Sequence, residues 1–225
     1  MPEVTAITPQ KKPGRLNIFI DGRFAFGLNE EDLYKSGLKT GQVITEDDIS
    51  RLKKVNDEGK VLENILHFLE FRPRSEREIR THIKNYYFRK KKSESEEEVG
   101  LIIENILVRL SRLRLLDDRS FAVWWLEQRQ NSGRPQGKWR IKLELAQKGI
   151  SREIIDEVLA SSGANEFDLA LKAVRRKLPA YIKLPVREGN LKITRYLLGR
   201  GFSAATVREV TKQVFADLLS PSDLG

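Results

Sequence analysis

The sequence predicts a mainly α protein: three tandem three-helix repeats in an elongated array, preceded by a small N-terminal segment that contains a β-hairpin. Three observations lead there. The first is internal repetition. Gly137-Lys138-Trp139-Arg140-Ile141, Leu145 and Lys148-Gly149-Ile150-Ser151 return as Gly189-Asn190-Leu191-Lys192-Ile193, Leu197 and Arg200-Gly201-Phe202-Ser203, each position displaced by 52 residues. Ser75, Ile79 and Ile83 match Gly137, Ile141 and Leu145 at a displacement of 62, the longer interval being filled by a charged insert after Tyr87. A period near 50 residues marks stacked units that are each too small to bury an apolar face alone. The second observation is helical periodicity from Asp57 onward, and the third is strand-like alternation in the first thirty residues.

At the N-terminus, Leu16 to Ile20 and Arg23 to Gly27 alternate around Asp21-Gly22, the pair best suited to the positive φ angles of a type I′ hairpin turn. Thr5 to Thr8 supplies a candidate third strand before the break from Pro9 to Gly14, and Gln42-Val43-Ile44 a candidate fourth. Asn29 caps a short helix that Gly37 ends, and Thr45 caps another through Asp48, Ile49 and Leu52.

In the helical region, Val61, Leu62, Ile65, Leu66, Phe68 and Leu69 form a wide apolar stripe ending at Pro73. Ser75-Glu76-Arg77-Glu78 has capping-box spacing and opens a helix through Ile79, Ile83 and Tyr87. Leu101 to Leu113 forms the third of this triplet. The second triplet comprises the Phe121-Trp124-Trp125 helix, Lys138 to Lys148, and Ser151 to Ser161. The last runs over Asn165 to Leu178, Gly189 to Leu198 and Ser203 to Leu219. Nine helices in three triplets follow, with expected segments 1–56 (β-rich extension), 57–116 (carrying the charged insert 86–98), 117–162 and 163–225. Within that insert, Arg89 to Lys92 and Ser93 to Glu98 form a basic block and then an acidic one. They read as a helix C-terminus and the next helix N-terminus, where the macrodipole favours those charges.

Composition narrows the function. The chain has 225 residues, 40% of them hydrophobic, which is enough for a core and unlike a disordered protein. It has no Cys, which excludes disulfides and thiolate metal sites and fits a reducing cytosol. No stretch approaches the ~20 apolar residues of a membrane span. A cytoplasmic, soluble protein is expected. Lys and Arg number 41 against 32 Asp and Glu, a net charge of +9 that favours anionic partners. From Glu166 to Arg200 the excess is densest: Lys172, Arg175, Arg176, Lys177, Lys183, Arg187, Lys192, Arg195 and Arg200 face only Glu166, Asp168 and Glu188.

An enzyme has little support. The two His residues, His67 and His82, lie within helical apolar patterns and read as surface or partly buried imidazoles. Gly133 to Trp139 resembles a phosphate-binding loop only superficially. It is one residue short between the glycines, has Trp139 where the Mg²⁺ hydroxyl belongs, and follows a helix instead of a strand. Asp117-Asp118 reads as a helix cap. No cofactor or metal is expected.

The stretches Phe71-Arg72-Pro73-Arg74-Ser75-Glu76-Arg77-Glu78-Ile79-Arg80, then Leu113-Arg114-Leu115-Leu116-Asp117-Asp118-Arg119-Ser120-Phe121-Ala122, then Lys148-Gly149-Ile150, resemble the bacterial RecX family. The likeness spans Asp57 to about Leu219, and the hairpin resembles the β extension of a subset of that family. One departure is Tyr86 to Glu98, where the first repeat of the family usually has a short Lys-Gly turn. The resemblance implies three three-helix repeats after a variable N-terminal segment. It also implies a regulator of the RecA recombinase that binds its filament on single-stranded DNA and most often inhibits ATPase and strand exchange in recombination and SOS repair.

The residues expected to form a basic face towards filament or DNA are Arg72, Arg74, Arg134, Lys138, Lys142, Arg175, Arg176, Lys192, Arg195 and Arg200. Trp124 and Trp125 point to different faces of one helix. Interhelical packing is the expected role of Trp124, Trp125 and Trp139, with Trp139 the candidate stacking or interface aromatic. A monomer is expected, with at most weak direct DNA binding. The main alternative is a DNA-binding protein whose helix Lys138 to Lys148, or Lys192 to Leu198, enters the major groove. Lys138, Arg140 and Lys142 suit phosphate, and Arg195 a guanine edge, but Asn and Gln base readers are lacking. An adaptor for another acidic protein is the third reading.

Overall fold

The computed structural model describes residues 1–90 and 95–219. Its elements are β1 (Val4–Pro9), β2 (Arg15–Ile20), β3 (Arg23–Asn29), α1 (Glu30–Ser36), α2 (Glu46–Glu70), α3 (Glu76–Lys90), α4 (Glu96–Arg112), α5 (Asp118–Gln130), α6 (Lys138–Gln147), α7 (Arg152–Ala160), α8 (Glu166–Val174), α9 (Leu178–Tyr181), α10 (Val186–Gly199) and α11 (Ala204–Leu219). Two compact units form: Met1–Arg72 with Ile79–Leu115, and Pro73–Glu78 with the chain from Leu116.

In the first unit β1, β2 and β3 make an antiparallel sheet in that order. The hairpin turns where the sequence places it, with Asp21 at φ 49° and Gly22 at φ 75°. The turn is tied to β1, since Gly22 N–H donates to Thr5 Oγ1 (2.9 Å) and Glu3 N–H to Asp21 Oδ1 (3.0 Å). The expected fourth strand is absent. Residues 42–44 contribute only the isolated bridge Glu3 to Val43. They lie between Gly41, at φ 83°, and Thr45, which caps α2, so too little chain is left for a ladder.

Asn29 caps α1 by accepting from Asp32 N–H, and Gly37 ends it at φ 65°. Thr45 and Asp48 form a full capping box at the start of α2. That helix then continues for 25 residues, whereas the sequence reading expected two helices with a break near Asn56. The polar residues there are not a linker. Asn56 is buried and accepts from Arg15 Nη2 (2.7 Å), while Arg15 Nη1 donates to Glu63 (2.7 Å), so a guanidinium only 7% exposed fastens β2 to α2. Val4, Ile18, Phe26, Leu28, Leu38, Ile44, Ile49 and Leu52 fill the core beneath the sheet. Further along, Val61 and Ile65 of α2, Ile79 and Ile83 of α3, and Ile103 and Leu110 of α4 are buried. Arg89 and Lys90 end α3 and Glu96 to Glu98 open α4, where Ser95 and Glu98 form another capping box; residues 91–94 of the insert lie outside the described residues.

The second unit holds two cores. Phe121, Trp125, Leu126, Ile141, Leu145, Ile150, Ile155 and Val158 pack α5, α6 and α7 together. Ala170, Val174, Ile193, Leu197, Phe202, Val207, Val210 and Phe215 do the same for α8, α10 and α11. Positions 52 apart are structurally equivalent: Ile141 and Ile193, like Leu145 and Leu197, are fully buried. The helix expected from Asn165 to Leu178 stops at Val174. Continuing it would set the Pro179 ring against the Arg175 carbonyl, so the chain turns through Arg175-Arg176-Lys177 and restarts as α9 with Pro179 in its first turn. Pro185 then starts α10 one turn earlier than the repeat suggested.

Successive turns in this unit are coupled by one device. Gly201, at φ 85°, approaches so closely that a Cβ there would lie 2.4 Å from Arg140 N. Its turn caps α6 with carbonyls: Gly137 N–H donates to Arg200 O (3.0 Å) and Trp139 N–H to Gly201 O (3.2 Å). One period earlier Gly149, at φ 84°, meets Arg77 in the same way, and Ser75 Oγ donates to Lys148 O (2.8 Å). At Gly189, the next equivalent of Gly137, the neighbour is the Tyr181 carbonyl of the same triplet, so α9 occupies the place of a further turn.

Candidate anion-binding interface

The second unit carries the concentration of positive charge, and its geometry starts from the contact between α5 and α6. Glu144 is 15% exposed and accepts from Trp125 Nε1 (3.0 Å) and Arg129 Nε (2.7 Å). Burial works against its ionisation, but Arg129, the Trp125 indole and Gln136 together hold the carboxyl below the usual range. The Trp125 ring has Arg129 over it at 4.1 Å and Lys148 at 4.9 Å. Lys148 also pairs with Glu78 at 2.6 Å. This network fixes the two helices that carry the loop of residues 131–137. The loop is closed by Gln136 N–H donating to Arg129 O (3.2 Å) and is capped by the Arg200-Gly201 turn.

Among the expected basic-face residues the structure makes clear distinctions. Lys142 is bound to Asp156, and Lys192 pairs with Glu188 at 3.0 Å. These two cations are largely neutralised by their own surroundings. Arg72 closes the first unit and Arg74 belongs to the second, and neither is without a partner. Lys138 opens α6, Arg195 is exposed on α10 and Arg175 is exposed after α8. Arg134, Arg176 and Arg200 come together. Arg200 Nε donates to Pro135 O (2.9 Å) and its Nη2 to Arg134 O, and Arg176 Nη2 lies 3.8 Å from the position a Cβ would take on Gly133.

Lys177 belongs with them, although the expected basic face does not include it. Its Nζ lies 5.5 Å from the Tyr196 ring centroid, and Arg200 Cζ is 5.6 Å from the same centroid. The signal was present in the sequence as the uninterrupted run Arg175-Arg176-Lys177. Of the tryptophans, Trp125 is core and Trp124 packs against that core, but Trp139 is 64% exposed, so interhelical packing is not its role. The reason is local: its place on the first turn of α6 leaves the inward positions to Ile141 and Leu145.

The acidic pair behaves as a cap. Asp117 accepts from the Arg119 and Ser120 N–H groups. Asp118 Oδ1 accepts from Glu76 N–H at 2.9 Å, and burial, reinforced by Glu76 and Asp117, raises its carboxyl above the ordinary range. His67 is exposed beside Glu70, whereas His82 bonds Asn64 and stacks on Phe68. Among the described residues no helix is long and apolar enough to cross a membrane.

Residues 2–45 match the model of the regulatory protein RecX N-terminal domain, residues 117–159 that of the RecX second three-helix domain, and residues 164–211 that of the third. The regulatory protein RecX of Clostridium acetobutylicum is 34% identical over 95% of this chain and 97% of its own length. That of Halalkalibacterium halodurans is 32% identical over 96% of this chain and 77% of its own. A crystal structure of regulatory protein RecX superposes with a TM-score of 0.72 at 25% identity, covering 94% of this chain and all of the other. The crystal structure of RecX from Lactobacillus salivarius shares the fold, with a TM-score of 0.56 over 71% of this chain.

Proposed function

Since the chain belongs to the RecX family of regulatory proteins, we propose that it regulates the RecA recombinase by binding the filament that RecA forms on single-stranded DNA. It acts by binding and catalyses no reaction. Its place is the bacterial cytoplasm, as a monomer, in recombination and SOS repair, and its main effect is to lower the ATPase and strand-exchange activity of the filament. The observation that carries this reading beyond family membership is a group of cations in the second unit with no carboxylate partner among the described residues, among them exposed Arg134, Arg175, Arg176, Lys177 and Arg195 and half-buried Lys138. A filament offers both phosphate and acidic protein surface to such groups, and attraction of this kind weakens as salt rises.

The test is the ATPase rate of RecA on single-stranded DNA, titrated with the full chain at low and moderate salt. Inhibition that fades as salt rises is expected. An unchanged rate at excess protein excludes the reading. One feature favours direct DNA binding as a second reading: α6 starts with Lys138 and Arg140 and has no acidic residue in its first turn. Under that reading tight binding to bare DNA accompanies an unaffected ATPase.

A further inference from the structure

Two cations flank one half-buried ring, and two more arginines lie on the adjoining segments, where the α5–α6 loop meets the end of α8 and the turn after α10. Arg200 and Lys177 flank Tyr196, whose hydroxyl is fixed by donating to Ala173 O (3.2 Å). Arg176 Nη2 lies 3.8 Å from where a Cβ on Gly133 would stand, and the main-chain carbonyl of Arg134, the next residue, accepts from Arg200 Nη2. Among the described residues none of Arg134, Arg176, Lys177 and Arg200 makes an ion pair, unlike Arg119 with Glu157 and Lys142 with Asp156. Like charges gathered without a counter-charge repel one another, and a bound anion removes that cost. Arg200 keeps Nη1 for a ligand, because Nε and Nη2 are spent on the Pro135 and Arg134 carbonyls. Beside the cluster, the Trp139 backbone is pinned to the same Arg200-Gly201 turn and its indole is exposed.

We propose that this seam binds the phosphodiester backbone of single-stranded nucleic acid, with Trp139 stacking on an unpaired base. The Arg176 and Arg200 guanidinium groups, with the Lys177 ammonium, suit phosphate oxygens. An exposed indole next to a basic groove is the combination that single strands use, since their bases are free to stack. A duplex keeps its bases inside, and an acidic peptide gives the indole no planar partner. The proposal rests on the filament reading only in supplying it with a DNA contact. Its test contains no recombinase, so either can fail alone.

The experiment is fluorescence anisotropy of labelled oligothymidylate with the full chain, across a salt series. The comparison uses R176Q/K177Q, W139A and the control R23Q/R152Q, which removes equal charge from other exposed sites. Wild type and control should bind alike. R176Q/K177Q should flatten the slope of log affinity against log salt by about 1.4, the value for two lost single-strand phosphate contacts. W139A should weaken binding by about fivefold or more. The proposal is overturned if wild type does not bind, if R176Q/K177Q behaves like the control, or if W139A binds with wild-type affinity. Displacement of the oligonucleotide equally well by polyglutamate also overturns it, and points instead to an acidic protein segment.

Discussion

Replacing Gly201 by Ala tests the coupling between successive turns of the second unit. Two costs apply. At φ 85° a residue with a Cβ is in the left-handed region, which costs roughly 1–2 kcal/mol. The new methyl would lie 2.4 Å from Arg140 N and 2.5 Å from Arg140 Cβ, atoms that no side-chain rotation can move. Overpacking of that kind adds about 1–3 kcal/mol. The lower entropy of the unfolded Ala chain returns only about 0.4–1 kcal/mol. A net loss of roughly 2–4 kcal/mol corresponds to a melting temperature lower by roughly 5–15 °C for a chain of this size. Thermal unfolding followed by circular dichroism measures the loss. Hydrogen exchange localises it, since the Gly137 and Trp139 amides lose their carbonyl partners and should exchange faster. Gly199→Ala is the control, because nothing lies within 4 Å of its Cβ position and it ends a helix. The reasoning is refuted if G201A melts within a degree or so of wild type, or if G199A loses as much.

Gly100→Ala, inside α4 with open space around it, should stabilise the protein by about 0.5–1 kcal/mol, visible as a raised denaturation midpoint. Glu144→Gln should cost roughly 1–3 kcal/mol at neutral pH by leaving Arg129 without its carboxylate. The Glu144 carboxyl is lowered in the fold, so its contribution is present above the ordinary Glu pKa and lost as pH falls through the folded value; the gap between E144Q and wild type should close on acidification. Asp117→Ala removes a cap that satisfies two amides and should cost about 1 kcal/mol in chemical denaturation. Arg15→Met leaves the buried Asn56 carbonyl without its donor and Glu63 with Lys12 alone, and a loss of about 1–3 kcal/mol is expected from urea unfolding followed by circular dichroism.

Local rules were legible in the sequence, and long-range ones were not. Asp21-Gly22, Asn29, Gly37, Thr45, Ser75 and Asn165 each act within three or four residues, and each does in the structure what its chemistry requires. The displacement of 52 residues was also legible, because the buried pairs and the positive-φ glycines recur in step. The continuity of α2 was not, since Asn56 resembles a linker residue until Arg15, 41 positions away, gives it a buried partner. In the candidate site the same limit applies. Lys142 and Lys192 are as basic as Arg176 in the sequence, and only the fold shows which of them has a carboxylate beside it. The approach of Arg200 to Arg134 spans 66 positions and depends on two glycine turns meeting, which no local pattern encodes.

The measurement that bears most directly on the account is the affinity of the full chain for a RecA filament on single-stranded DNA, set against its affinity for the same DNA bare, in one buffer. The account predicts tighter binding to the filament, weakening as salt rises. Equal or tighter binding to bare DNA would contradict it.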